Sequence, residues 1–144
     1  MNTPTLPALP PLLAANPRLD RWVGFSAPGR VTVSTGRVEI GQGVLTAMLQ
    51  IAAEELEVAP ERILLQTGDT DRTPNEGYTA GSQSIQFGGV ALRMACAEVR
   101  ALFLDHAVAN HVVNKSWSAE HLCGEVDARR VPTDDAIIPD ALGR

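Results

Sequence analysis

The stretch RVEIGQGVLTAMLQIAAEELEV, residues 37–58, decides the fold because its hydrophobic period changes halfway along. Up to Ile40 the residues alternate as in a strand, and from Val44 onward the apolar residues recur every three or four positions, as in an amphipathic helix. Gly41-Gln42-Gly43 lies between the two periods. The pattern predicts a strand, a tight turn and a helix, and it leaves open whether the turn is only a hinge or holds a ligand.

The sequence around this stretch predicts a small mixed sheet. RWVGFSAPGRVTVSTGRVEI, residues 21–40, contains two short strands with a turn at Ala27-Pro28-Gly29, and Gly36 leaves open whether its second half is one bent strand or two. Pro60 ends the helix, and RILLQTG, residues 62–68, predicts a third strand. This order of elements favours an α+β fold in which two main helices pack on one face of the sheet.

The two main helices are expected at about 44–57 and 84–109, and the second begins near Ser82 or Ser84. The positions predicted to face the core are Leu45, Met48, Leu49, Ala52 and Leu56 in the first helix and Ile85, Leu92, Ala95, Val99, Leu102 and Phe103 in the second. The polar loop DTDRTPNEGYTAG, residues 69–81, precedes the second helix. Its length is unusual for a compact domain, which makes it a candidate functional loop.

The length of 144 residues suits one domain with one hydrophobic core. Residues 1–17 contain five of the ten prolines and are expected to form an extended lead-in. Residues 18–110 carry the periodic elements. Residues 111–144 mix polar residues, prolines and short apolar pairs, which predicts a partly irregular tail.

Composition argues against several classes of function. The net charge is −5 and the densest basic spot is only Arg129-Arg130, whereas phosphate-backbone binding needs a basic stripe, so nucleic acid is not an expected partner. No apolar run approaches the length of a membrane span, and the start lacks the basic region of a secretory signal. A cytoplasmic location is therefore the expectation.

No metal site is expected within this chain. Cys96 and Cys123 lie far apart and belong to no Cys-x-x-Cys or Cys/His pattern. His106 and His111 are five positions apart, which places them on different faces of a helix. Asp69-x-Asp71 resembles the start of a calcium loop, but a proline follows where that loop needs glycine. No spacing of serine, cysteine, histidine and aspartate indicates a catalytic residue.

The two turns that precede the helices are the candidate ligand sites. They are Gly41-Gln42-Gly43 and the run Thr79-Ala80-Gly81-Ser82-Gln83-Ser84. A helix N-terminus has unpaired N–H groups and a partial positive charge, so two such starts at one sheet edge could hold a phosphate between them. The alternative is that both are ordinary turns and that Ser82 or Ser84 is an N-cap. NAD and ATP are disfavoured, because Thr46 stands where a dinucleotide fingerprint needs its third glycine and no Gly-Lys-Ser/Thr follows.

Together the two stretches carry a more specific signal than either alone. The segments NPRLDRW (16–22), GRVTVSTGRVEIGQGVLTAMLQIAAEELEVAPERI (29–63) and GDTDRTPNEGYTAGSQSIQFGGVALRMACAEVRALFL (68–104) resemble the molybdopterin-binding large subunit of the xanthine dehydrogenase / aldehyde oxidase family. The resemblance is to the isoquinoline 1-oxidoreductase and nicotinate dehydrogenase branch. It covers residues 16 to about 105.

This resemblance implies that both turns contact the molybdenum cofactor in its molybdopterin cytosine dinucleotide form. Carried over position by position, the implied contacts are Gly41, Gln42, Gly43, Thr79, Ala80, Gly81, Ser82 and Ser84. The resemblance further implies [2Fe–2S] clusters on a small partner subunit, with the remainder of the large subunit as a second partner. The substrates it implies are N-heterocycles or aldehydes.

The same resemblance implies that this chain is an N-terminal fragment of such a subunit. The glutamate that the family uses as its base lies in a far C-terminal segment, so the fragment is expected to supply a portion of the cofactor's cradle and not to turn over alone. The alternative from a different class is a non-catalytic module that binds a partner, or a truncated remnant.

Overall fold

The computed structural model describes residues 8–109 and contains a three-stranded mixed sheet. Its strands are β1 (Val23–Ala27), β2 (Arg30–Thr35) and β3 (Ile63–Thr67), in the order β1-β2-β3. β1 pairs with β2 antiparallel, and β2 pairs with β3 parallel. The predicted α+β class and mixed sheet are confirmed.

The register of the sheet gathers its apolar side chains on one face. Val33 lies opposite Val23 on β1 and opposite Leu65 on β3, and Val31 lies opposite Ile63. Side chains alternate between the faces of a strand, so these five residues line the same side of the sheet. Most of them are buried in the main hydrophobic core, while Leu65 packs against its edge. This face is where the helices pack.

Helix α2 (Val44–Leu56) connects the parallel strands β2 and β3. It begins after Gly43, which has a left-handed φ of 75°, and its buried residues recur at every fourth position: Val44, Met48, Ala52 and Leu56. Leu45 and Leu49, also expected to face the core, are only partly buried. A short 3₁₀ turn at Pro60–Arg62 then leads directly into β3. The sequence therefore predicted this helix nearly to the residue.

Helix α3 (Val90–Ala109) continues from a π-helical segment at Ser84–Gly89. Its buried residues include Leu92, Ala95, Val99 and Phe103, as expected. Ile85 and Leu102 were wrongly assigned to that stripe, because their side chains are 43% and 42% exposed. Ile85 lies in the π segment, whose wider turn shifts side chains away from the positions that an α-helical period predicts. Leu102 lies on the flank of the buried stripe.

Two further expectations need correction. The lead-in expected to be extended contains helix α1 (Pro11–Ala15), which has proline in its first turn and packs Leu13 into the core with no exposed surface. The strand expected to reach Ile40 ends at Thr35. Past that point the backbone N–H groups of Gly36 and Val38 donate to side chains of another loop instead of to β3.

The remaining predictions fall outside the described residues or concern membranes. The proposed irregular tail at 111–144, including Cys123, lies beyond residue 109. Among the helices that the structure describes, none combines the length and apolar character needed to cross a bilayer.

Candidate functional site

The candidate site lies at the edge of the sheet where β2 and β3 end. Because these strands are parallel, the segments that follow them leave from the same edge, with Thr35 opposite Thr67. We call residues 38–43 the first turn and residues 77–84 the second turn. The backbone N–H of Val38 donates to Oγ1 of Thr79 at 3.1 Å, which joins the two turns directly. The expectation that both helix starts share one edge of the sheet is confirmed.

A carboxylate occupies the helix start at the first turn. Oε1 of Glu39 accepts hydrogen bonds from the N–H groups of Gly41 and Gly43, both at 2.8 Å, and its Oε2 accepts one from the N–H of Leu45 at 3.2 Å. These bonds, with Gly43 the strongest, lower the pKa of Glu39. This role was not predicted from the sequence, although a carboxylate close to a helix start is favoured there by the positive end of the helix dipole. The N–H groups of Gly41, Gly43 and Leu45 are therefore already engaged, and a negative charge already lies at the start of α2.

The side-chain amide of Gln42 closes its own turn. Its Oε1 accepts a hydrogen bond from the N–H of Ile40 at 2.6 Å, and its Nε2 donates to the carbonyl of Val38 at 3.1 Å. The side chain is exposed on the surface. A ligand that takes up this amide must therefore replace at least one local hydrogen bond.

The second turn leaves its serines available. Gly77, Gly81 and Ser82 all have left-handed φ values, of 70°, 64° and 58°. Within residues 8–109 the hydroxyls of Ser82 and Ser84 make no hydrogen bond, and the residue at the N-cap is Gln83, whose side chain does not cap the helix. The alternative in which either serine is an ordinary N-cap is therefore wrong.

A buried ion pair joins the residues that immediately precede the two turns, and it was not predicted from the sequence. The side chains of Arg37 and Glu76 are 1% and 0% exposed, and Nε of the arginine lies 3.4 Å from Oε1 of the glutamate. Charged residues are almost never fully buried without a partner, so a single charge in a polar stretch normally indicates a solvated side chain. The burial of Arg37 and Glu76 follows from their pairing across the two loops. No local sequence pattern predicts that pairing.

The outer surface of the two turns is open and partly apolar. A Cβ atom built at Gly41, Gly43 or Gly77 would meet no atom of the described residues within 4 Å. Large apolar side chains are exposed on or beside the turns, and Tyr78 is 91% exposed. The same edge thus carries hydroxyl donors, an amide and exposed hydrophobic surface.

A family model described as a molybdopterin cofactor-binding domain matches residues 10–134, most of the chain and both turns. The chain belongs to this family. Both turns therefore lie within the molybdopterin cofactor-binding domain. Within the described residues no group of three or more histidine, cysteine, aspartate or glutamate side chains could hold a metal ion.

Curated relatives of this molybdopterin cofactor-binding domain are dehydrogenases and oxidases. A nicotinate dehydrogenase subunit of Pseudomonas putida is 37% identical over 89 residues, which is 62% of this chain and 8% of the relative. The gamma subunit of the 6-hydroxypseudooxynicotine dehydrogenase complex of Paenarthrobacter nicotinovorans is 43% identical over 77 residues, 54% of this chain and 10% of the relative. Xanthine dehydrogenase of Calliphora vicina is 35% identical over 96 residues, 67% of this chain and 7% of the relative. The chain thus spans a tenth or less of these relatives.

The residues of the two turns would fit the phosphate-bearing molybdopterin cofactor unequally. Ser82 and Ser84 present hydroxyl donors at the start of a long helix, which suits phosphate groups. The carboxylate of Glu39 fills the corresponding position at α2 and would repel a phosphate there. The expectation that one phosphate lies between two free helix starts therefore does not fit the first turn, whereas the second turn retains its donors.

Proposed function

We propose that this domain holds part of the molybdenum cofactor of a molybdenum-dependent oxidoreductase, and that the first and second turns supply the contacts. The observation that carries the proposal is the meeting of the two turns at one sheet edge, joined between Val38 and Thr79. The residues assigned to the cofactor remain Gly41, Gln42, Gly43, Thr79, Ala80, Gly81, Ser82 and Ser84. The family match supports the nature of the ligand.

The second turn is proposed to hold the phosphate end of the cofactor. The hydroxyls of Ser82 and Ser84 donate to phosphate oxygens, and the helix that runs from the π segment through α3 adds a partial positive charge at its start. The left-handed backbone at Gly81 and Ser82 turns the chain into that helix. These groups recognise an anion without any lysine.

The first turn is proposed to face a neutral part of the cofactor. Gln42 exchanges its bond to the carbonyl of Val38 for one to a polar group of the pterin, while Gly41 and Gly43 let that group approach the backbone. Glu39 holds the start of α2 in place and keeps phosphate groups away from it. The cofactor therefore binds in one direction, with its phosphates toward Ser82.

The assignment of substrate class and partners is also proposed. The bound cofactor supplies the redox chemistry, and the residues described here bind and orient it. We place the chain in the isoquinoline 1-oxidoreductase / nicotinate dehydrogenase branch, with the cytosine dinucleotide form of the cofactor and a cytoplasmic location. The partners are the remaining large-subunit sequence and a small subunit with [2Fe–2S] clusters. Relatives named as subunits support this arrangement.

The test is the cofactor content of the purified chain. The 144-residue chain is produced in a host that makes the cofactor, and its molybdenum and pterin content are measured after gel filtration. Ser84→Ala and Ser82→Gly each remove a hydroxyl, and glycine also suits the positive φ at position 82. Both variants are expected to retain less cofactor than the chain with Glu98→Ala, an exposed position on α3. A folded chain free of molybdenum and pterin would refute the proposal.

The exposed apolar side chains beside the turns favour a second candidate function, which is the binding of a partner protein. Ile40, Tyr78 and Phe87 present hydrophobic surface there. In that case the chain would co-elute with a small iron–sulfur subunit whether or not molybdenum is present. Association that requires the cofactor would favour the first function instead.

A further inference from the structure

The buried ion pair crosses from one turn to the other. Arg37 immediately precedes the first turn, and its Nη1 donates to the carbonyl of Tyr78 in the second turn. Glu76 immediately precedes the second turn, and its Oε2 accepts hydrogen bonds at 2.6 Å from the hydroxyl of Thr35 and from the N–H of Gly36. Each side chain thus holds the backbone of the opposite segment.

We propose that Arg37 and Glu76 are positioning residues that set the relative placement of the two turns. Neither side chain reaches the open surface, so neither contacts a ligand there. As far as the ligand is concerned, the inference rests on the proposed function. We call the fixing of one turn relative to the other by these two side chains bracing, and it does not depend on any ligand.

Stability alone does not explain a charged pair in this place. Replacing a buried ion pair by apolar residues of similar volume is often neutral or stabilising, because the desolvation of both charges is avoided. Here Nε of Arg37 and Oε1 of Glu76 are 3.4 Å apart, and within residues 8–109 neither atom makes a hydrogen bond. An apolar pair could not bind the carbonyl of Tyr78 or the N–H of Gly36, and these hydrogen bonds tie the segments of the two turns together.

Gly88 in the π segment provides the space for this pair. A Cβ atom built at Gly88 would overlap Oε1 of Glu76 and would lie 3.1 Å from Nε of Arg37 and 3.3 Å from Cε of Met48. The neighbouring Gly89 is also buried, but a Cβ atom there would meet Ile51 at 3.1 Å and Ile85 at 3.5 Å. Gly88→Ala therefore pushes on the ion pair, whereas Gly89→Ala adds the same methyl group one residue away and pushes only on apolar side chains.

The first experiment is amide hydrogen exchange of the full 144-residue chain without cofactor. Val38 reports the contact between the turns, because its N–H donates to Thr79. Ser34 is the reference, because its N–H donates to the carbonyl of Trp22 at 2.7 Å in the sheet. Gly88→Ala is expected to accelerate exchange at Val38 by at least about tenfold with Ser34 unchanged, as for a local opening. Gly89→Ala is expected to leave the ratio of the two rates unchanged.

Glu76→Gln and Arg37→Lys are second variants in case alanine at position 88 prevents folding. Glutamine removes the charge, and lysine keeps the charge without the planar fork that reaches two groups. Both are expected to raise the ratio of Val38 to Ser34 exchange. Equal acceleration at both amides, or an unchanged rate at Val38, would overturn the bracing role.

Molybdenum occupancy then separates this inference from the proposed function. Gly88→Ala is expected to retain at most about one tenth of the cofactor retained by Gly89→Ala, which corresponds to about 1.4 kcal/mol of binding free energy. Selective opening at Val38 with full occupancy would refute the positioning role. A wild-type chain that shows the selective protection but contains no cofactor would refute the proposed function and leave the bracing of the turns intact.

Discussion

Replacing Gln42 by alanine distinguishes a turn that is only a hinge from one that holds the cofactor. The side chain makes two hydrogen bonds, to the N–H of Ile40 and to the carbonyl of Val38, and both are exposed to solvent. Exposed neutral hydrogen bonds lie at the low end of the usual range, so their combined loss should lower the free energy of unfolding by about 1 kcal/mol at most. This effect is expected whatever the turn binds.

The effect on cofactor retention is larger if Gln42 contacts the cofactor. In Gln42→Ala the polar group of the pterin would lose its partner, which costs about 1–3 kcal/mol for a buried group, while the wild-type amide gives up one local bond of about 0.5–1 kcal/mol to form that contact. The difference of about 0.5–2 kcal/mol corresponds to roughly two- to thirtyfold weaker binding in Gln42→Ala. Stability and retention therefore change by amounts that can be measured separately.

The assay compares molybdenum per chain with the unfolding free energy of the same protein after the cofactor is removed. Gln50→Ala is the matched control, because Gln50 is an exposed glutamine on α2 away from the turn. It should change neither quantity appreciably. Full molybdenum occupancy in Gln42→Ala would show that the turn is a hinge and that the assignment of Gln42 is wrong.

Four further outcomes are expected. Glu39→Gln should be less stable than wild type above pH 4.5, and in denaturant unfolding this difference in stability should shrink as the pH falls. The reason is that a carboxyl group with a lowered pKa contributes stability that acid removes. A pH-independent difference would contradict the capping role of Glu39. Burial raises the pKa of Cys96 to about 12. In a Cys123→Ser variant the Cys96 thiol should therefore react with a disulfide reagent only when the protein unfolds. Rapid reaction of the native protein would contradict the burial of Cys96. Met48→Ala should lower the free energy of unfolding by about 2–5 kcal/mol, because the Met48 side chain has no exposed surface. A loss below about 1 kcal/mol in thermal or denaturant unfolding would argue against the packing of Met48 in the hydrophobic core. The isolated chain should not oxidise N-heterocycles or aldehydes with an artificial electron acceptor, because it matches a tenth or less of its enzyme relatives; turnover would refute this.

The elements that the sequence predicted well are those with a regular local hydrophobic period. The change of period after Gly43 located the start of α2, because a helix that covers a sheet must repeat its apolar residues every three to four positions. The same rule failed at Ile85, where the π segment changes the repeat. It also could not show the short helix that carries Leu13, whose stability comes from burial and not from a long periodic pattern.

The sequence indicated the outer residues of the candidate site but not the residues that support them. Glycines, amides and serines at a helix start indicate a candidate site from their own chemistry, so both turns could be named from the sequence. Arg37 and Glu76 are separated by 39 positions, and their burial follows from a tertiary contact that no short window contains. Glu39 was within reach of sequence analysis, because its distance from the helix start is local.

The contact between Val38 and Thr79 spans 41 residues, and this separation has a consequence for the order of events during synthesis. A ribosome that adds about 5–20 residues per second completes that interval in about 2–8 s. For all of this time the glycine turn is made but its opposite half does not yet exist. Closing so long a loop also depends on the pairing of β3 with β2, which makes the assembled edge a late, non-local product of folding. A ligand that needs both turns can therefore bind only after the second turn has been made and has met the first.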